Sequence, residues 1–283
     1  MKIPKRIQPL VEYGLIDEVL SRLMSGKEAD LYVVLCGDEV RCAKVYKDAA
    51  ERSFKKAVQY TEGRKVRNSR RQRAMEKGSK FGRKEQEKTW QNAEVDALRL
   101  LAEADVRVPI PYDCIDGVLL MELVTDADGN VAPRLADVTM TDEQAIGNFV
   151  IVMQDVVRML CAGIVHGDLS EFNVLLDEHG PVIIDLPQAV NASANNNAKS
   201  MLLRDVDNMT RYFGQFASFL LETQFGKEIW SLYEDGKLKP DTILTGEYVD
   251  TSDDADVDGV LEEIQAAFDE EQKRLERLRE NEA

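Results

Sequence analysis

The chain has 283 residues, 44% of them apolar, and a formal net charge of −16. That length can bury one large core or two lobes of roughly 100–150 residues each, and the apolar share excludes a wholly disordered chain. Four scattered cysteines (Cys36, Cys42, Cys114, Cys161), no CxxC and only two histidines argue against a zinc site and against a disulfide framework. No window approaches the ~18 uncharged apolar residues of a membrane span, and the N-terminus shows no apolar signal region. A cytoplasmic protein with no membrane partner is expected. The acidity is uneven. Residues 52–88 hold 14 basic against 4 acidic side chains, a net of +10, whereas residues 246–283 hold 14 acidic against 4 basic, a net of −10.

In chain order, Leu10, Val11, Leu15, Ile16, Val19 and Leu20 keep helical spacing, which predicts a helical extension over 1–20 ending near Met24. "ADLYVVLCGDEVRCAKVYK" follows, two β-branched runs about Gly37–Asp38, and predicts a hairpin. The basic insert 52–88 is poor in large apolar residues. A helix is expected over 89–104, with Val95, Leu98, Leu101 and Ala102 on one face. "VRVPIPYDCIDGVLLMELV" reads as extended chain, a turn at Asp116–Gly117, then a buried strand. Thr141 with Gln144 three residues on forms a capping box, and Ile146 to Leu160 keeps helical period until Gly163. Strands are expected at 174–176 and 181–185 and a helix over 200–223. Val257, Leu261, Ile264, Phe268, Leu275 and Leu278 form a short heptad pattern in the acidic tail. The layout is α+β: an N-lobe over 21–124 carrying the insert, a helical C-lobe over 125–240, and a tail over 241–283.

Between the long helix and the next strand lies "VHGDLSEFNVLL". Singly, Asp168 and Asn173 are Asx-turn residues of an ordinary loop. Together with Asp185, which ends the following strand in "VIIDL", they make a different pattern. Two short strands can bring Asn173 and Asp185 to one edge, where two oxygen donors and substrate phosphates would suit Mg²⁺. Asp168 is then left to face whatever attacks the phosphate. This matches the catalytic loop and metal aspartate of protein-kinase-like enzymes. Such an enzyme needs a lysine from its N-lobe. Lys44 in "CAKVY" stands on the second hairpin strand, with Glu94 on the next helix as its partner. "MSGKEADLY" occupies the place of the phosphate loop but has one glycine, neither GxGxxG nor Walker A. Amides around Ser25–Lys27 could still cradle phosphates.

On these segments the chain resembles the RIO kinases, atypical serine/threonine protein kinases, and within them the RIO1 branch. "SGKEADLY", "CAKVYK", "TWQNAEVDALRLL", "VPIPYDCIDGVLLMELV", "VHGDLSEFNVLL" and "IIDLPQAV" occur in the family's order from about Leu20 to Phe213. The resemblance implies a two-lobed kinase-like fold using ATP and Mg²⁺, with Mn²⁺ as an alternative ion. It implies Asp168 as catalytic base, Asn173 and Asp185 as metal ligands, and Lys44 on the α/β-phosphates. Ser25 and Lys27 would touch phosphates, and Glu122 and Val124 would bond adenine through their backbone. It also implies a missing activation segment, since "LPQAVNASANNN" follows Asp185 without DFG or APE. "HGD" departs from the family's usual "HAD".

The alternatives share the loop. Aminoglycoside- or choline-type kinases also carry "HGDL…N" and "IID", but "SGKEADLY" and the insert favour RIO. An ATPase switch would use Asp185 as the acceptor of an acyl-phosphate. A non-catalytic module fits poorly with an intact set of Lys44, Glu94, Asp168, Asn173 and Asp185. The insert 52–88 is dense enough in charge to contact RNA through phosphates, and the resemblance implies rRNA or a ribosomal subunit as that partner; the tail could cover the insert, fold back on the C-lobe or pair with another chain.

Overall fold

The structure is a computed structural model that describes residues 3–47 and 93–248. The basic insert, the first four residues of the expected helix over 89–104, and the heptad pattern of the tail lie outside the described residues.

The N-terminal part is a five-stranded antiparallel sheet in the order β1-β2-β3-β5-β4. Its strands are β1 (Glu18–Ser25), β2 (Ala29–Cys36), β3 (Glu39–Tyr46), β4 (Pro111–Ile115) and β5 (Val118–Glu122). The hairpin about Gly37–Asp38 forms as expected, with Lys44 opposite Leu31 on β2 and Leu119 on β5. The expected helix up to Met24 does not form. Helix α1 spans only Gln8–Glu12, the chain turns at Gly14 with φ +71°, and Glu18–Ser25 becomes the edge strand. Only Val19 of that strand is buried, so its apolar residues carried almost no facial signal. Pairing with β2 decided its conformation instead.

The period-2 alternation of strands sorts the sheet into two faces. Ala43, Val45, Val118 and Leu120 pack with Ile7, Leu10 and Ile16 on one side. Tyr46 and Leu119 face the other, against α2, a helix over residues 93–103. That helix presents Val95, Leu98 and Leu101 to the core, as its spacing predicts.

The C-terminal part is built on α3 (Asp142–Cys161). Both bonds of the Thr141–Gln144 capping box are present, and Gly163 with φ +78° follows the helix end. By length and composition α3 could cross a bilayer. Here it is the central core helix, burying Phe149, Val152, Met153, Val156, Val157 and Leu160. Short strands β6 (Ile164–Val165), β7 (Val174–Asp177), β8 (Gly180–Ile183) and β9 (Val190–Asn191) form two two-stranded ribbons, β6–β9 and β7–β8.

The helix expected over 200–223 is two elements, α4 (Ala198–Phe213) and a 3₁₀ turn at Ser218–Glu222, and a further helix, α5 (Phe225–Glu234), follows. The break falls at Gly214, where Leu221 folds back so closely that a Cβ would collide with it. A β-rich first half and a helical second half give the expected α+β, two-part fold, and residues 186–197 lead straight from Asp185 into α4.

Candidate active site

Strand β3 turns Lys44 and Tyr46 to the same face, two residues apart. The Lys44 Nζ donates to Glu94 Oε1 of α2 at 2.6 Å and to Asp185 Oδ1 at 2.9 Å. Tyr46 donates its hydroxyl to Glu94 Oε2 at 2.6 Å, so both Glu94 oxygens are occupied. Lys44 and Glu94 are buried, and each is paired and hydrogen-bonded, as a buried charged group requires. Burial by itself disfavours the Lys44 ammonium. The carboxylates of Asp185 and Glu94 outweigh it and hold the lysine pKa above its ordinary value. Attraction to Lys44 overcomes burial at Asp185 and holds that carboxyl below its ordinary value.

Asp185 stands just past β8 at φ +66°, the left-handed region, where a non-glycine residue is held only by its surroundings. Asp168 and Asn173 lie on the loop between β6 and β7. The Asn173 Nδ2 donates to the Asp168 carbonyl at 2.8 Å, which commits the amide nitrogen and leaves Oδ1 as an acceptor. Main chain joins the two metal candidates, since Ile184 N–H donates to Asn173 O at 3.0 Å. Asp168 is exposed, and its carboxylate accepts one hydrogen bond, from Gln188 Nε2 at 3.1 Å.

Three residues the sequence reading did not single out hold this loop from below. Asp205 of α4 is buried and accepts from the amides of Gly167 (2.7 Å) and Leu169 (3.1 Å). Burial pushes its carboxyl up to about 6, against the lowering effect of those two amides. Asn208, one turn on, donates to Leu169 O at 3.0 Å. His166 accepts the Asp168 amide on Nδ1 (3.3 Å), so Nε2 carries the proton and donates to Ile184 O (3.1 Å). Gly167 adopts φ +81°, a reason for "HGD" in this chain. The signal for Asp205 was available: a carboxylate at the Met201–Leu202–Val206–Met209 core face of an amphipathic helix.

The β1–β2 turn lies at the expected phosphate loop. Ser25 Oγ donates to Asp30 Oδ1 at 2.7 Å, and Lys27 is exposed. The Gly26 N–H donates to Ala29 O at 2.9 Å, so that one amide of the expected Ser25–Lys27 cradle is spent inside the turn. Lys47 reaches the turn as well, donating to Gly26 O at 2.7 Å. At the end of β5, Glu122 N–H donates to Ile110 O at 2.9 Å, while Ile110 N–H goes to the Glu122 side chain at 3.1 Å. The Glu122 carbonyl is thereby spared from the ladder. Val124 O accepts from Ala132 N–H at 3.0 Å, and its own N–H has no partner among the described residues. A free carbonyl and a free N–H two residues apart offer an acceptor–donor edge.

A metal with these donors would be hard and oxygen-loving. Among the described residues no group of three or more His, Cys, Asp or Glu side chains gathers to hold an ion. Asn173 and Asp185 supply two oxygens, which suits Mg²⁺ completed by phosphate oxygens rather than an all-protein cage.

A strand lysine paired to a buried glutamate on the helix packed against its sheet, together with a loop aspartate, asparagine and strand-end aspartate, defines a protein-kinase-like phosphotransferase. A family model for the RIO domain matches residues 30–225. The chain is 34% identical over 209 residues to the RIO-type serine/threonine-protein kinase Rio1 of Haloferax volcanii, covering 73% of this chain and 67% of that protein. It is 31% identical over 202 residues to the human serine/threonine-protein kinase RIO1, covering 71% of this chain but 34% of the human protein. The crystal structure of the Rio2 kinase from Chaetomium thermophilum in an ADP/Mg²⁺-phosphoaspartate complex has the same fold. Its TM-score is 0.55 at 20% identity, covering 95% of this chain and 75% of that one. The chain belongs to the RIO family of serine/threonine-protein kinases, on its RIO1-like side.

Proposed function

We propose that this protein transfers the γ-phosphoryl group of ATP to a hydroxyl of a protein, itself included. The observation that carries the reading is the single ammonium of Lys44 hydrogen-bonded to carboxylates from both halves of the chain. Such a bridge fixes the two halves around a cleft where a nucleotide's phosphates would meet Lys44. The ADP and Mg²⁺ of the Chaetomium Rio2 complex support the same cofactors here.

In this reading Lys44 holds the α/β-phosphates, released from Asp185 as the phosphates take its charge. Ser25, Lys27 and the neighbouring Lys47 face the phosphates from the β1–β2 turn. The Glu122 carbonyl and the Val124 amide orient the adenine. Asn173 Oδ1 and Asp185 would hold the metal, which when bound neutralises charge on the phosphate oxygens. Asp168 accepts the proton of the attacking hydroxyl, and its exposure leaves room for that hydroxyl. Most of the rate enhancement is then positioning and charge neutralisation. The four cysteines all carry free thiols, which fits a reducing compartment. Contact with RNA through residues 52–88 rests on their charge, and a ribosomal partner on the likeness to RIO1 kinases.

The test is to incubate the full chain and its Asp168→Ala variant with γ-labelled ATP and Mg²⁺ and follow the label. We expect label on serine or threonine, a loss of about 10²–10⁴-fold in the variant, and unchanged ATP binding. Turnover equal to wild type would remove Asp168 from the chemistry. Label that hydroxylamine releases, or that appears only as free phosphate, would instead indicate the ATPase switch through Asp185.

A further inference from the structure

Asp168 is exposed, and its carboxylate has one hydrogen-bond donor among the described residues, the Gln188 side chain. Only the amide nitrogen of a glutamine can donate to a carboxylate, so the orientation of Gln188 follows from its partner.

The backbone explains the meeting. In the β6–β9 ribbon Val165 stands opposite Val190. The chain leaves β6 towards Asp168 and enters β9 from Gln188, and because the strands are antiparallel both residues emerge at the same end. The turn before β9 is pinned. Leu186 is fully buried, Ala189 nearly so, and Ala189 N–H donates to Leu186 O at 3.1 Å. The same turn begins at Asp185 in its left-handed conformation. One short segment thus carries a carboxylate bonded to Lys44 and, three residues later, the amide that holds the carboxylate of Asp168.

We propose that Gln188 is the positioning residue of Asp168. It occupies Oδ2 and presents Oδ1 to the hydroxyl of the protein substrate. The segment after Asp185, too short for a docking platform, thereby orients the base itself. The inference rests on the phosphotransferase reading above. Because Gln188, among the described residues, hydrogen-bonds Asp168 and neither Lys44 nor the β1–β2 turn, it acts on turnover and not on nucleotide affinity.

The experiment compares wild type, Gln188→Ala, Gln188→Glu, Asp168→Asn and the Gln188→Glu/Asp168→Asn double variant of the full chain. It measures kcat and KM for ATP with Mg²⁺, the ATP Kd by direct binding, and Tm. Gln188→Ala should lower kcat about ten-fold, the worth of one charge-assisted hydrogen bond. Gln188→Glu keeps the size, loses the donor and sets two carboxylates against each other, so it should lose about ten-fold more. In both variants the ATP Kd should stay within about two-fold and Tm should hold, and Gln188→Glu should add nothing in the Asp168→Asn background. If Asp168→Asn abolishes turnover while both Gln188 variants keep wild-type kcat, the inference falls alone. Losses in ATP affinity or Tm that match the loss in kcat would overturn it in favour of a structural role. If Asp168→Asn turns over like wild type, Asp168 is not the base, and the inference falls with that assignment.

Discussion

Lys44 has two carboxylate partners at similar distances, 2.6 Å to Glu94 and 2.9 Å to Asp185, in opposite surroundings. The Glu94 side chain is 3% exposed and the Asp185 side chain 47%. Glu94 lies on a helix packed against the sheet, with Tyr46 closing its second oxygen. Asp185 sits on a turn beside a loop whose functional side chains face solvent and whose backbone is held from beneath by Asp205, His166 and Asn208. The N-terminal half holds its site by burying side chains. The C-terminal half holds its site by fixing main chain and leaves the side chains open to a ligand. The difference shows where the molecule can give up a contact, since the Asp185 partner can exchange and the Glu94 partner cannot.

Lys44→Ala and Asp185→Asn break the comparison most directly. Both should abolish phosphoryl transfer. Lys44→Ala also strands a buried glutamate and should cost about 3–5 kcal/mol of stability. Asp185→Asn removes a half-exposed partner and should cost about 0–1 kcal/mol. Urea unfolding of the two variants checks this, and equal losses would erase the distinction.

Acid titration sharpens the contrast from another side. The Asp185 carboxyl is held below its ordinary 3.8, so its contribution is present above that value and is lost as pH falls further. Asp155 and Asp205 run the other way. Burial pushes each up to about 6 from 3.8, and at Asp155 this overcomes the nearby Arg158. Between those values the native state holds more protons than the unfolded chain, so stability falls as pH rises through the window. Asp155 of α3 is fully buried, with Oδ2 unpartnered among the described residues. Asp155→Asn should flatten the fall in unfolding free energy between pH 4 and pH 6 by roughly half, leaving the share of Asp205. An unchanged slope would contradict the assignment.

The smallest effect concerns the scaffold alone. Thr141→Ala removes the capping box of α3 and should cost about 1 kcal/mol with kcat unchanged, read by thermal unfolding and turnover on the same preparation. A fall in kcat would show that the core helix transmits strain to the loop beyond it.

The residues whose chemistry repeats in the motif pattern were legible: Lys44 and Glu94, Asp168 and Asn173, and Asp185 meet as their spacing implied. So were elements with a strong periodic signal, such as α3 with its cap and the hairpin at Gly37–Asp38. What escaped was decided by tertiary pairing. The β1 segment has no buried face to give it a period, and it became a strand because β2 was there to pair with. The split after Phe213 depends on Leu221 folding back onto Gly214, a contact with no local sign. Asp205 and Gln188 escaped because each acts on a group far away in sequence, a backbone amide or another side chain.

The guanidinium of Arg6 donates to the Tyr46 carbonyl at 2.6 Å, and Ile7, Leu10 and Ile16 are fully buried beneath the sheet. All four precede residue 30, where the family match begins. Trimming the gene to the matched span would therefore strip the underside from the strand that carries Lys44 and leave β2 as a bare edge, inviting self-association. An inactive, sticky fragment of that kind would report on a missing floor and say nothing about the chemistry above it.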